Sequence, residues 1–458
     1  MNLDTIVSLS SGTPPCGVAV IRLSGSLTKE IIKKLFISKK DPIFYPRETI
    51  FGKFLSESQE TLDHGLLVFF DSPKSFTGED VAEFHVHGSS VIVKEVTRFA
   101  CKLGARLAEP GEFSRRAYLN EKLDLTQAEA IGDIIHSSTI SALKLAEQQL
   151  SGRLSSALSS IGEPLRDILA QFEAGIDFPD EDITPEGLKI LATKVTDILL
   201  SIEKLLETYS YGKKVSEGLK IALVGEPNAG KSSLLNAMLK EDRAIVTSIA
   251  GTTRDTIEEE AHINGFKVIL CDTAGLRGST DVVEKIGIER AIKKLEWADL
   301  VLLLIDITET KNFNINVIPD INLIKDKTWI VLNKIDEENH NILIPQEFIS
   351  NPRIELSAKT GKNLEILYQR VCEFIEKDNH QDSTAILTNE RHRQALEEAK
   401  ENLVLFINCV STSNIKQQPL EIIGNYLRIS LTKLEEIVGK TYTEDILGRI
   451  FSKFCIGK

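Results

Sequence analysis

Eight consecutive residues, Gly225-Glu226-Pro227-Asn228-Ala229-Gly230-Lys231-Ser232, carry the pattern GxxxxGK[ST]. Gly225 and Gly230 let backbone N–H groups approach an anion closely. Lys231 adds a point charge at the β- and γ-oxygens of a polyphosphate, and the Ser232 hydroxyl faces a divalent cation. Four further clusters follow in order. Gly251-Thr252-Thr253 offers a second hydroxyl, Thr253, to the cation. Asp272-Thr273-Ala274-Gly275 puts a carboxylate near the metal and a backbone N–H near the γ-phosphate. Asn333-Lys334-Ile335-Asp336 supplies a carboxylate that accepts two hydrogen bonds from guanine N1–H and N2–H. Adenine lacks that donor pair, so the pattern implies a guanine nucleotide. Ser357-Ala358-Lys359 completes the base pocket. Leu276 then stands where an orienting amide would be useful, and an apolar side chain cannot orient water. Hydrolysis must take its water-positioning group and its extra positive charge from elsewhere.

The elements around these clusters suit them. LKIALVG, FKVILCD, LVLLLID and TWIVLNK are near-continuous apolar runs, as strands buried in a parallel sheet require. Asn264-Gly265 between EEEAHI and FKVILCD marks a hairpin, hence one antiparallel strand. The first 120 residues read as mixed α and β, with strands GVAVIRLSG, GLLVFF and VAEFHVHG and a helix over VIVKEVTRFACKLG. From Leu125 apolar residues recur at helical spacing. Thr126-Gln-Ala-Glu129 fits a capping box, and Gly162 and Pro164 predict a kink or break. A second helical run follows Pro185. KDNHQDSTA (377–385) reads as a polar linker, after which helical periodicity continues to about Phe454. The expected division is 1–120, a helical part 121–216, an α/β part 217–378 and a second helical part 379–458, with the α/β domain inserted into the helical one.

Composition sets limits. The chain has 458 residues, 42% hydrophobic and 26% charged, with net charge -13. That length suits about three domains at ~150 residues each. The longest apolar run, Leu300–Ile305, is far short of the about 20 residues of a membrane span. Residues 1–120 hold 15 basic and 14 acidic side chains, and the remainder 39 and 53. Acidity of this kind argues against a broad basic nucleic-acid surface. Six scattered cysteines without CxxC spacing fit reduced thiols in a cytoplasm.

The five clusters resemble the G1 to G5 set of Ras-like P-loop GTPases. Outside them, SFTGEDVAEFHVHG (75–88), PGEFSRRAYLNEKLDLTQAEAI (110–131) and the terminal FCIGK (454–458) make the whole chain similar to the MnmE (TrmE) family of tRNA-modification GTPases. The resemblance implies nucleotide contacts from Asn228, Ala229, Gly230, Lys231, Ser232 and Ser233. It adds Thr247, Ser248, Ile249, Ala250, Gly251, Thr252, Thr253, Asp272, Thr273, Ala274, Gly275, Asn333, Lys334, Asp336, Ser357, Ala358 and Lys359. Mg²⁺ falls to Ser232 and Thr253, and K⁺ to Asn228, Thr247, Ile249 and Thr252. A monovalent cation there sits where an arginine finger would place its charge. Glu284, in VEKIGIER, becomes the water-orienting carboxylate, and Lys231 and Glu284 become the catalytic pair.

The family likeness further implies an N-terminal α+β domain that binds a tetrahydrofolate (5-formyl or 5,10-methylene) through Arg22, Glu79, Lys122 and Lys458. It implies a homodimer and a partner, the FAD protein MnmG (GidA). With it the protein would modify C5 of the wobble uridine of certain tRNAs in the cytoplasm, installing an aminomethyl or carboxymethylaminomethyl group. A different class stays open at this point: a regulatory or ribosome-assembly GTPase, Era- or EngA-like, without modification chemistry. Cys455, between Lys453 and Lys458, fits both a reactive thiolate and a buried thiol. His85 and His87 share one face of a strand and read as structural histidines.

Overall fold

The computed structural model describes residues 4–177, 185–240, 258–272, 289, 291–309, 313–337, 344–379, 385–411, 419–441, 443–452, 454 and 457. They fall into two compact units, one within 1–132, 149–178 and 419–458, the other within 133–148 and 179–418.

The first unit holds a seven-stranded sheet: β1 (Thr5–Leu9), β2 (Cys16–Ser24), β3 (Phe36–Ser38), β4 (Thr49–Leu55), β5 (Thr61–Phe70), β6 (Val81–Gly88) and β7 (Ala105–Leu107). Their spatial order is β3-β4-β5-β6-β2-β1-β7. Only the β1–β7 pairing is parallel. Strand alternation sends Ala19, Ile21 and Leu23 of β2 inward, where they join Ile31, Ile32 and Leu35 of helix Thr28–Leu35 and Val96, Phe99 and Ala100 of helix Ser90–Lys102. Arg22, between two inward residues, therefore faces away from this core.

Farther along, helix Arg153–Asp177 pairs with Leu420–Val438, and Arg166 Nη2 reaches Glu435 Oε1 across the pair at 2.7 Å. The first helix does not break. Pro164 lies inside it, and its apolar stripe of buried Leu154, Leu158, Ile161, Leu165, Ile168 and Phe172 runs straight past the proline. Continuous packing on that stripe outweighs one missing hydrogen bond, which costs roughly 3 kcal/mol. The capping box also differs in place. Helix Leu125–His136 starts one residue before Thr126. The reciprocal bonds join Asp124 and Gln127, Gln127 N–H to Asp124 Oδ1 at 2.9 Å and Asp124 N–H to Gln127 Oε1 at 3.0 Å. Asp124 caps better because its carboxylate also favours the positive helix end.

The second unit contains a six-stranded sheet of β8 (Leu219–Gly225), β9 (Glu258–Ile263), β10 (Phe266–Asp272), β11 (Leu300–Asp306), β12 (Thr328–Asn333) and β13 (Arg353–Leu356). The order is β13-β12-β11-β8-β10-β9, all parallel except β9. The apolar runs read as buried strands, and they are: both faces of the sheet are packed, with separate cores on each. The β9–β10 hairpin turns at Asn264 and Gly265, both at positive φ (48° and 87°) as its tight turn requires. Helices Pro185–Glu207 and Glu390–Ser411, on either side of the sheet in sequence, pack together in this unit. No described helix is long and apolar enough to cross a membrane.

Candidate functional site

In this parallel sheet the carboxyl ends of β8, β10, β11, β12 and β13 share one edge, where α/β sheets bind ligands. Four of them, β8, β10, β12 and β13, each deliver one sequence cluster, and β11 ends at Asp306. Beyond β8 the chain turns through 225–230 into helix Lys231–Lys240, so backbone N–H groups and the positive helix end converge. Asn228 is left-handed, at φ 67°. Gly230 has φ 96°, and a Cβ on it would lie 2.1 Å from Asn333 Nδ2. Only glycine fits there.

Lys231 is almost fully buried, its ammonium donating to the carbonyls of Gly225 (2.9 Å) and Glu226 (2.7 Å). Ser232 Oγ donates to Asp272 Oδ2 at 3.4 Å, so the hydroxyl and the carboxylate expected at one cation stand together. Ser233 is exposed beside them. Asn333 ends β12 and is 2% exposed. Its Nδ2 donates to the Ala229 carbonyl (2.8 Å), and its Oδ1 accepts from Ala358 N–H (2.9 Å). One side chain therefore ties the phosphate loop to the 357–359 loop. Ser357 and Ala358 are buried, and Lys359 is exposed. The exposed Asp336 carboxyl lies below its usual range because of a hydrogen bond from Ser357. Lys334, at φ 73°, pairs with Asp306. The structure thus brings Asn228 to Ser233, Asp272, Asn333 to Asp336 and Ser357 to Lys359 to one edge. Thr247, Ser248, Ile249, Ala250, Gly251, Thr252, Thr253, Thr273, Ala274, Gly275, Leu276 and Glu284 lie outside the described residues.

In the N-terminal sheet, Arg22, Glu79 and Lys122 gather around the segment 72–80. Arg22 stands opposite Glu83 in the β2–β6 register and donates to its Oε1 from Nε (3.0 Å) and Nη2 (2.8 Å). The rings of Phe76 and Phe113 flank the guanidinium at 5.5 and 5.7 Å. Lys122 Nζ donates to the Pro73 carbonyl at 3.1 Å. Glu79 Oε2 accepts from Ser24 Oγ (2.6 Å) and Arg116 Nη1 (3.1 Å). Lys458 and Cys455 lie outside the described residues. Sequence reasoning missed Arg116, which also binds Asp4 (2.7 Å) and Glu112 (3.0 Å), and it missed Glu83. Burial pushes the Glu112 carboxyl up, but bonds from Arg106, the Glu109 N–H and Arg116 outweigh it and hold it down at about 2. Glu83 also lies below its usual range, through His85 first and Arg22 next. The signal for Arg116 was in the SRRAYLN block, and that for Glu83 in the alternation of β6. His87 Nδ1 is 2.8 Å from Asp63 Oδ1, and His85 Nε2 is 3.6 Å from Glu83 Oε2. Among the described residues no group of three or more His, Cys, Asp and Glu is arranged to hold a metal.

Two family descriptions fit separate stretches. "GTP-binding protein TrmE N-terminus" matches residues 5–122, and "MnmE helical domain" matches residues 125–455. Whole-length relatives agree. The tRNA modification GTPase MnmE of Aquifex aeolicus (strain VF5) is 41% identical over 457 residues, covering 99% of this chain and 100% of that protein. The tRNA modification GTPase MnmE of Caldicellulosiruptor saccharolyticus is 39% identical over 466 residues, covering all of both chains. That of Moorella thermoacetica is 40% identical, covering 99% of each. With both halves matched and the nucleotide clusters assembled on one sheet edge, the chain belongs to the MnmE family of tRNA modification GTPases.

Proposed function

We propose that this chain hydrolyses GTP, in a Mg²⁺- and K⁺-dependent manner, as a component of a cytoplasmic enzyme that modifies C5 of the wobble uridine of certain tRNAs. The observation that carries the reading is Asn333, which links the phosphate loop to the base loops. Lys231 already lies within the phosphate loop, and its ammonium passes from the Gly225 and Glu226 carbonyls to phosphate oxygens. Ser232 and Asp272 form an oxygen-only donor pair that suits a hard cation, so they, with Thr253, would hold Mg²⁺. The ion supplies charge neutralisation on the phosphates. Asp336 reads the guanine N1–H and N2–H edge, and Lys359 closes the pocket over the base. Glu284 orients water in place of the residue that Leu276 lacks. K⁺ would be held by Asn228 with Thr247, Ile249 and Thr252.

The N-terminal domain would bind a tetrahydrofolate that supplies a one-carbon unit, 5-formyl- or 5,10-methylene-tetrahydrofolate. Arg22, Lys122 and Lys458 suit its anionic tail, and a carboxylate suits the amino edge of the pterin. Arg116 and Ser24 fix Glu79 in one orientation for that task. The protein would act as a homodimer with an FAD-containing MnmG-type partner. The acidity outside the N-terminal domain supports a division of labour in which that partner supplies much of the basic surface for tRNA. The test is GTP turnover in KCl against NaCl at equal ionic strength. Turnover at least tenfold faster in KCl is expected, and equal turnover overturns the K⁺ assignment.

A further inference from the structure

Lys334 is held by a residue that no sequence cluster contains. Its ammonium forms an ion pair with Asp306 Oδ2. Asp306 is the last residue of β11 and stands opposite Asn333 in the β11–β12 register, so the pair spans two adjacent strand ends at the nucleotide edge. Asp306 is itself locked. Its Oδ1 accepts from the Thr308 N–H at 2.9 Å and from Thr308 Oγ1 at 2.7 Å. Its side chain is 8% exposed, against 29% for Lys334. Burial pushes the Asp306 carboxyl up, but the bonds from Lys334 and Thr308 outweigh burial and leave it ionised below its usual range. Lys334 also leaves the backbone at φ 73°, directly after the Asn333 bridge and two residues before Asp336. Its four methylenes are therefore drawn out between the ends of β12 and β11 instead of swinging in water.

We propose that Asp306 is a positioning residue for guanine recognition: it holds the Lys334 ammonium against β11, so that the alkyl chain stands as a fixed apolar wall for one face of the base. Thr308 fixes the Asp306 rotamer. The inference rests on the guanine-pocket reading of residues 333–336. A free lysine side chain carries about 2 kcal/mol of rotamer entropy, and ordering it in advance removes part of that loss from the binding step. Thr308→Val should act in the same direction as Asp306→Asn and more weakly, because it loosens the carboxylate without removing its charge.

The experiment measures GDP and ADP binding and steady-state GTP hydrolysis on the full-length protein. The variants are Asp306→Asn, Thr308→Val, Lys334→Ala and the double variant Asp306→Asn/Lys334→Ala. Asp306→Asn should weaken GDP binding about tenfold and Thr308→Val about threefold, the loss appearing in KM rather than kcat. In the Lys334→Ala background, Asp306→Asn should add less than a twofold change, which a merely structural aspartate would not do. Unchanged GDP affinity in Asp306→Asn overturns the inference, as does the same loss with and without Lys334. If Asp306→Asn fails to fold, Thr308→Val decides alone: a weakened Kd supports the inference and wild-type affinity overturns it. Wild-type protein that binds ADP as tightly as GDP would instead refute the guanine-pocket reading itself.

Discussion

At the scale of single residues, Asn333 and Glu112 do the most with one side chain. Asn333 satisfies a buried carbonyl on the phosphate loop and a buried N–H on the 357–359 loop. Asn333→Ala leaves both groups without their partner, and each such loss costs about 1–3 kcal/mol. Chemical denaturation should report about 2–3 kcal/mol less stability, and GDP affinity should fall at least tenfold because the loop loses its anchor. Glu112 makes a pH prediction. Its carboxyl is held at about 2, far below the ordinary 4.5, so its contribution is complete above about pH 4.5 and is lost as pH falls toward 2. Glu112→Gln should lower stability at pH 7 by about 2 kcal/mol. The wild-type advantage should shrink as acid unfolding is followed from pH 5 to pH 3, and a gap constant over that range would contradict the ionic account.

At the scale of elements, Gly230 and Pro164 mark opposite outcomes of local rules. The helix starting at Lys231 needs Gly230 in the left-handed region with Asn333 against it. Gly230→Ala should therefore abolish measurable nucleotide binding while the circular dichroism spectrum stays wild type. Pro164 sits in a helix interior that packing sustains. Pro164→Ala should raise stability by about 1 kcal/mol, less than the full helix-propensity difference because the surrounding packing has adapted to proline. A thermal melt checks this, and GTP turnover should not move.

These elements also divide what a sequence can disclose from what it cannot. Buried parallel strands declare themselves as unbroken apolar runs, and the hairpin declares itself through Asn264-Gly265, because both signals are local. Of the kink or break expected at Pro164, the break does not occur, because breaking is a local tendency, whereas the stripe packed on helix Leu420–Val438 is not local. The capping box was displaced because Asp124–Gln127 and Thr126–Glu129 both satisfy the pattern, and only the hydrogen bonds distinguish them. The phosphate loop and base clusters were legible as contiguous motifs. The Asp306–Lys334 pair, the Arg22–Glu83 register pair and the clamp of Arg116 on Glu79 were not, since the first two join positions through strand order and the third joins a helix to a loop, all of them distant in sequence.

For the whole molecule, two compact units divide the work. One presents Arg22, Glu79 and Lys122 around the segment 72–80 that joins β5 to β6. The other assembles the nucleotide clusters on the edge of a parallel one. Helical segments from both sides of the nucleotide-binding sequence pair within each unit. The charge is also uneven along the chain, near neutral in residues 1–120 and net acidic in the remainder. That acidity is the ground for the proposal that an FAD-containing partner supplies much of the basic surface for RNA. The central claim is that this chain contributes to tRNA modification and that its nucleotide site is required for it. It is tested most directly by mass spectrometry of wobble-position nucleosides in tRNA. The cells to compare lack the gene and carry either the wild-type copy or Lys231→Ala. Wild type should restore C5-modified uridine and Lys231→Ala should not. An unchanged nucleoside profile in cells lacking the gene would contradict the account.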